Sequence, residues 1–579
     1  MLYVSAMRAV SSVPYVLLAA LLGACSAPAA PDHPDASSPD AMLADARGPV
    51  GCGAPSGTLH AQSLALGDGI EDRVYWLHVP ASYDCTAPSP LLVDFHGTAG
   101  SDPEEAYQTD ALIALSEQRG FIAVRPRSRS SNEGGQSIYR WDQNPGDLAR
   151  NATFAKHLVA DLEQRYAIDP ARVYASGFSS GSNMTAQFLR DASSPFHGLA
   201  PIAGGLWSTA AALPSLAAGP RVWMSTGYRD YLWPDARSLA ARLVAAGLPG
   251  DHLVVRHTGG GHDLYAWQFA ELWSFLDGGE RPVEGSLAPA WRRESLPSPT
   301  DVIAVVPEAG GLLAAGAQGH VWQRDAAGVW TLAVTPGSTG DHAALCATVA
   351  GTALVGGQYE VALRTGATWS TPRGLPDYGL LGRGWANTAV CRDDGSIVVA
   401  GYWSAAVTGN GGQSWSELGV PSQFPGVNAQ LAGGAQSPGG ATVLVGYYDY
   451  IGRAAAGSGT TTAVDHASSA EWWNAVAAVA GGRFWVVGDD GAILASTDDG
   501  LTWAAQASGT TANLYGVHFA DARHGAAVGL HGTVVVTADG GEHWTARPVG
   551  LDRFLGGVVV AATAITVVGE GGLVATSAR

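Results

Sequence analysis

Gly177-Phe178-Ser179-Ser180-Gly181 places a serine between two glycines at the GxSxG spacing. A serine hydroxyl is a weak nucleophile until a base takes its proton, so the motif calls for a histidine and for an acid behind it. In the chain order serine, acid, histidine, few residues qualify. Thr226-Gly227-Tyr228-Arg229-Asp230 follows the β-rich run Val222–Ser225 and offers Asp230. Asp235 is the rival, but it stands where a helix over Ala236–Ala246 is expected to begin and reads as its cap. Thr258-Gly259-Gly260-Gly261-His262 follows the run Leu253–Arg256, and a His on a Gly-rich loop after a strand can reach over the serine. His252 and His257 bracket that strand and read as structural or surface residues. The chemistry implied is acyl transfer: Ser179 attacks a carbonyl, His262 takes its proton, and Asp230 orients His262. The developing oxyanion needs two backbone N–H groups. Ser180 is expected to supply one, and Thr98, in the loop His96-Gly97-Thr98-Ala99-Gly100, the other. His96 reads as a residue that positions this loop, not as a second base. No metal or cofactor is called for.

Such a serine must stand on a sharp turn between a strand and a helix, where glycines relieve the crowding. The surroundings fit: Val173–Ala175 is β-rich, and Ser182–Arg190 is helix-like. The same alternation runs from about residue 57 to 277. Val74–Val79, Leu91–Phe95, Phe121–Val124, Val222–Ser225 and Leu253–Arg256 read as strands. Glu104–Gln118, Ala149–Tyr166, Ala236–Ala246 and Leu264–Phe275 read as helices. This pattern predicts a mostly parallel sheet with helices on both faces, and a site at the carboxyl ends of the strands. Trp207, Tyr228, Tyr231, Trp233 and Trp267 lie near the expected site segments and are equally candidates for a substrate cleft or for ordinary packing.

From about Ala288 to Arg579 helical periodicity is gone. Ser496-Thr497-Asp498-Asp499-Gly500-Leu501-Thr502-Trp503 matches Thr537-Ala538-Asp539-Gly540-Gly541-Glu542-His543-Trp544, and a weaker copy runs from Thr408 to Trp415. Worn copies end at Trp330 and Trp369, so the five tryptophans lie 39, 46, 88 and 41 residues apart. The longest gap is two periods, with a degenerate unit near Gly452–Thr462. A period of about 40–45 residues with several short strands per unit predicts a β-propeller, here of about seven blades. Trp291–Leu296 is placed to supply a strand to the last blade and close the ring. Three expected bodies therefore follow a leader: a tether over 25–55, an α/β domain over 56–284 and a propeller over 288–579.

With 579 residues, 46% of them apolar and only 14% charged, the chain has ample material for two large cores. The 76 glycines imply many tight turns. A net charge of −19 argues against a nucleic-acid partner, while Lys156 as the only lysine reads as the codon bias of a GC-rich genome. Arg8 is the only charge before an apolar run from Ala9 to Ala24, which reads as a signal segment over 1–24. Export suits the cysteines. Four remain after Cys25, and the local pairings Cys52 with Cys85 and Cys346 with Cys391 are expected.

Three resemblances add to this reading. Leu22-Gly23-Ala24-Cys25 resembles the bacterial lipobox, which implies a lipidated Cys25. With Ser26 following, it also implies lodging at the outer membrane or cell surface of a Gram-negative bacterium, held by the lipid alone. The tryptophan repeat resembles the Asp-box, or BNR, motif of sialidases and of photosystem II stability and assembly factors. Its residues read as turn-formers, and the arginine cluster and Tyr/Glu pair of a sialidase are not found. Residues of about 57 to 277 resemble secreted α/β-hydrolase esterases of the polyhydroxybutyrate depolymerase or feruloyl and acetylxylan esterase type. The pieces that carry this are VYWLHVPASYD (Val74–Asp84), His96-Gly97, AIDPARVYASGFSSGSNM (Ala167–Met184), APIAGG (Ala200–Gly205) and GGGHD (Gly259–Asp263). Thr226 stands where the family commonly has His, and Ser182-Asn183 where a further small residue is frequent, which leaves the substrate open. The resemblance implies a serine esterase acting on a possibly polymeric ester, with a propeller for glycan, protein or substrate. A serine peptidase of the same fold, or a propeller whose hydrolase domain is incidental, stands as the alternative.

Overall fold

The computed structural model describes residues 55–64, 73–99, 109–133, 136–141, 145–206, 212–281, 284–333, 340–348, 351–357, 360–366, 368–371, 373–374, 385–402, 405–420, 430–466 and 472–579. The expected signal, Cys25, Cys52, most of the tether and Trp207 lie outside them. The chain divides into two compact units. The first runs to Pro282 except for His257–Gly261, which group with the second, Val283–Arg579.

The first unit is built on eight strands: β1 (Gly57–Leu64), β2 (Arg73–Val79), β3 (Ser89–Phe95), β4 (Ile122–Pro126), β5 (Ile168–Phe178), β6 (Gly198–Ile202), β7 (Arg221–Gly227) and β8 (Leu253–Thr258). Their order in the sheet is β1-β2-β4-β3-β5-β6-β7-β8. β1, β2 and β4 pair antiparallel; from β4 through β3, β5 and β6 to β7 the pairing is parallel. This is the α/β-hydrolase arrangement. The parallel strands read as nearly continuous apolar runs because both faces are covered. Alternate residues serve opposite faces. Leu91, Val93 and Phe95 of β3 pack with Phe154, Leu158 and Leu162 of helix α2 (Pro145–Arg165) and with Leu239 and Leu243 of helix α4 (Trp233–Ala245). Leu92 faces the other way, toward Leu112 and Leu115 of helix α1 (Thr109–Arg119) and Phe269 and Leu272 of helix α5 (Ala266–Leu276). Helix α3 (Ser180–Gln187) follows β5 at once.

The second unit is a propeller of seven sheets. The first strands of its blades are Val302–Glu308, His342–Ala347, Trp385–Cys391, Leu431–Gln436, Trp473–Val479, Leu514–Phe519 and Leu555–Val560. Each of these strands carries a bulge near its start. The second strand of every blade reaches a glycine near or at its end: Gly316, Gly357, Gly401, Gly446, Gly488, Gly529 and Gly569. At six of them, a Cβ would collide with a carbonyl oxygen beside the first strand, Asp301 for Gly316 and Phe554 for Gly569 among them. The bulge thus brings two backbones too close for any other residue. Apolar clusters lie between consecutive blades, as where Leu313 and Ala315 of the first meet Val355 and Ala362 of the second.

The repeat residues make turns. Asp498 accepts from the N–H of Thr502 at 2.9 Å and from Ser496 Oγ at 2.8 Å, and Ser496 Oγ accepts from Gly500 N–H at 3.0 Å. Asp539 with Thr537 and Asn410 with Thr408 repeat these bonds. Hydrogen bonds from Thr502 lower the Asp498 carboxyl to about 2. Arg292–Arg293 pairs with Ala575 and Thr576, so the start of the unit supplies the outer strand of the last blade. Glu294 locks this closure: its carboxylate accepts from Arg324 Nε at 2.9 Å, Trp330 Nε1 at 2.8 Å and Thr576 Oγ1 at 2.9 Å. Cys346 and Cys391 form a disulfide between the second and third blades. Cys85 is also disulfide-bonded, while Cys52 lies outside the described residues.

Candidate active site

β3 and β5 are parallel neighbours in a register that pairs Phe95 with Gly177. The loop after Phe95 and the turn after Phe178 therefore leave the sheet side by side. The turn holds Ser179 at φ +57° and ψ −114°, a region that a residue with a side chain rarely adopts. Its N–H is held by the Ile202 carbonyl at 3.0 Å, and its own carbonyl accepts from Asn183 at 3.2 Å in the first turn of α3. A side chain at Gly177 would strike the Gly181 carbonyl, and one at Gly181 would strike the carbonyls of Phe95 and His96. Gly177 is therefore needed where the turn folds back on its own helix, and Gly181 where it passes against the neighbouring loop.

The structure brings Ser179, Asp230 and His262 together from three loops. His262 Nε2 is 2.8 Å from Ser179 Oγ, and His262 Nδ1 is 3.0 Å from each oxygen of Asp230. Asp230 is fully buried and accepts a further bond from Leu232 N–H at 2.8 Å. A carboxylate only accepts, so Nδ1 carries the ring proton and Nε2 is left to accept from the serine hydroxyl. Two rings flank the imidazole, Phe178 at 4.8 Å and Tyr231 at 4.6 Å between centroids. Tyr231 is one of the aromatic residues that the sequence offers for the site; Phe178, inside the GxSxG, is not. Tyr228 packs on Trp233 at 4.7 Å, and Trp267 stacks on Tyr265 at 6.0 Å. His252 lies apart from this cluster, 3.0 Å from the Gly219 carbonyl.

Asp235 is not the helix cap that its position suggested. α4 begins at Trp233, the capping position is Leu232, and no side chain caps it. Pro234 in the first turn favours the earlier start. Asp235 is partly buried, and its burial, then the charge of Asp230, push its carboxyl up to about 6.

Ser180 is the first residue of α3, where N–H groups have no carbonyl within the helix to bond. Thr98 lies in the loop after β3. Next to it Ala99 exchanges both backbone bonds with Tyr139, at 2.9 and 2.8 Å. His96 is buried in the same loop. Its Nε2 accepts from Ser128 N–H at 3.0 Å, so Nδ1 donates to the Gly97 carbonyl. Burial above all holds this imidazole down at about 3, so it is neutral and locks the Gly97–Thr98 peptide. The His96 carbonyl accepts from Trp141 Nε1 at 3.0 Å, whose own carbonyl accepts from Asn151, which in turn is held by Arg73 at 2.9 Å. Sequence reasoning missed this buried string because its members lie far apart in the chain. Among the described residues no group of three or more His, Cys, Asp or Glu side chains is arranged to hold a metal ion.

No family model matches the chain. It is 33% identical over 174 residues to poly(3-hydroxyalkanoate) depolymerase C of Paucimonas lemoignei, covering 28% of this chain and 41% of the relative. It is 28% identical over 128 residues to a bifunctional acetylxylan esterase/xylanase of Neocallimastix patriciarum, covering 22% of this chain and 18% of the relative. The chain thus spans less than half the length of these curated relatives. Among solved structures, YCF48 from Cyanidioschyzon merolae aligns at a TM-score of 0.40 and 18% identity, covering 50% of this chain and 98% of that one. The chain, similar over part of its length to a depolymerase and to a bifunctional acetylxylan esterase/xylanase, joins an α/β-hydrolase unit to a seven-blade β-propeller.

Proposed function

We propose that the first unit is a serine esterase that cleaves carboxylic esters through an acyl-enzyme. Ser179 Oγ adds to the ester carbonyl as its proton passes to His262 Nε2. Asp230 accepts from Nδ1–H and balances the imidazolium that forms. The N–H groups of Ser180 and Thr98 receive the oxyanion. Collapse breaks the carbonyl–alkoxy bond, and His262 returns the proton to the leaving alkoxide. Water then attacks the acyl-Ser179, His262 takes its proton, and the second collapse releases the acid and the free serine. The observation that carries this reading is the 2.8 Å approach of His262 Nε2 to a serine held on a strained strand–helix turn, with Asp230 behind the ring.

The named relatives support an ester of a polyhydroxyalkanoate or of an acetylated polysaccharide as the substrate class, and the sequence resemblance adds a feruloylated polysaccharide. The propeller then serves to bind that polymer, a glycan or a protein partner. The chain is exported and anchored at the cell surface through a lipid on Cys25. The test is hydrolysis of a chain-length series of p-nitrophenyl esters beside polyhydroxybutyrate, acetylated xylan and methyl ferulate, with protein lacking Cys25. Turnover that disappears in Ser179→Ala is expected, and the best substrate selects among the three esters. Turnover that survives in Ser179→Ala, or none on any ester with folded protein, overturns the reading.

A further inference from the structure

The interior strands β3, β4 and β5 break their own apolar rule at one level of the sheet. Asp94, Arg125 and Ser176 are all buried. They sit on the α1/α5 face, since Leu92, Ala123 and Tyr174, two residues earlier in each strand, belong to that core. Arg125 Nε donates to one Asp94 oxygen at 3.0 Å, and Nη2 donates to the same oxygen at 2.5 Å. Ser176 Oγ donates to the other at 2.6 Å. The trio therefore ties three adjacent strands together, and Asp94 and Ser176 are register partners across β3 and β5.

A buried ion pair adds little net stability, because desolvating two charges offsets their attraction; apolar residues of similar volume would serve the fold as well. What the trio does provide is a directional link at a particular place. Four residues after Asp94 comes Thr98, and three after Ser176 comes Ser179. The Ser176–Asp94 bond joins the two strands just before one becomes the nucleophile turn and the other the loop that offers the Thr98 N–H. Displacements of about 1 Å between reacting groups can cost on the order of a hundredfold in rate.

We propose that Ser176 and Asp94, with Arg125 fixing the carboxylate, are positioning residues that set the spacing between Ser179 and the oxyanion-binding N–H groups. This rests on the esterase reading of Ser179. The function needs a short hydroxyl at 176, a carboxylate at 94 and a fixed register, but no contact with substrate.

The test compares Ser176→Ala, Ser176→Thr and the double variant D94L/R125M, which removes both charges and so leaves neither buried alone. A fluorophosphonate titrates reactive Ser179 in the full chain, and kcat and KM for p-nitrophenyl butyrate are expressed per titrated site, so that any misfolded fraction drops out. The expected result is a ten- to hundredfold fall in kcat for Ser176→Ala and the double variant, KM within about threefold, and recovery of most of kcat in Ser176→Thr, which keeps the hydroxyl. A kcat per site within twofold of wild type in Ser176→Ala and D94L/R125M overturns the positioning role while leaving the esterase standing. A wild-type protein that neither turns over ester nor takes up the phosphonate overturns both.

Discussion

His262 Nε2 and Ser179 Oγ stand 2.8 Å apart although 83 residues separate them in the chain. The serine reaches that point only by accepting a left-handed backbone, and the histidine by standing on a loop of three glycines. Strain at one end and a free-form loop at the other are held by a packed sheet between them, which is how a site acquires fixed geometry.

Asp230 faces His262 Nδ1 with both oxygens at 3.0 Å. Asp230→Asn puts a donating NH2 where one of these oxygens stood, so the ring loses the charge that balances the imidazolium and is pushed toward the wrong tautomer. The expected outcome is a fall in kcat of about 10⁴ with KM little changed and the fold intact. Steady-state kinetics on a p-nitrophenyl ester, beside circular dichroism, checks this.

Gly181 abuts the backbone of the loop that carries His96 and Thr98. A Cβ there meets carbonyl oxygens of Phe95 and His96, which cannot swing aside as a side-chain tip can. Gly181→Ala is therefore expected to destabilise by roughly 3 kcal/mol or to drive the turn away from the loop with loss of activity. A thermal melt and an activity assay on the same sample read both, and unchanged values for both would contradict the close packing.

The Asp235 carboxyl, raised to about 6, binds its proton more tightly in the folded chain than in the unfolded one. Below about pH 4 both states hold the proton and the group is neutral in its effect on stability. As pH rises through 6 the folded state must give it up at a cost, and stability is lost. Asp235→Asn should thus gain on the order of 1–2 kcal/mol at pH 7.5 and nothing at pH 4. Melting temperatures at the two pH values test the sign.

Glu294 behaves in the opposite sense. Burial pushes its carboxyl up, but bonds from Arg324, Trp330 and Thr576 outweigh that and hold it below the ordinary value. Its contribution is present above the unfolded value of about 4.3 and is lost as pH falls below it. Glu294→Gln is expected to cost the propeller about 2 kcal/mol at pH 7 and less at pH 3, below the unfolded value. Calorimetry of the full chain at both pH values, following the propeller transition, measures it.

Much of this site lay open in local pattern. The strand run, the two glycines and the helix-like stretch around Ser179 sit within about twenty residues, so alternation and turn chemistry place them together. Asp230 and His262 are legible for the same reason, each on a loop directly after a strand. The propeller is legible because a structural constraint repeats, as with the tight turns of Asp498 and Asp539. What escaped depends on distant partners. β1 reads as polar, GTLHAQSL, because it is an edge strand with one neighbour and a bulge between Leu59 and Gln62. β6 has only five residues and no periodicity to show. Local pattern sets the start of α4 at Ala236, three residues late, because Asp235 resembles a cap, whereas Pro234 is the better signal. Trp141 and Asp94 act across the sheet. The one local sign of the latter is a carboxylate in the otherwise apolar run LLVDF.

Everything proposed for the first unit depends on Ser179 being the nucleophile. Incubating the protein with a fluorophosphonate and mapping the adduct by peptide mass spectrometry tests it most directly. The prediction is one equivalent on Ser179, loss of ester turnover in step with labelling, and no label in Ser179→Ala. Labelling at another residue, or ester turnover that persists once Ser179 is fully modified, would contradict it.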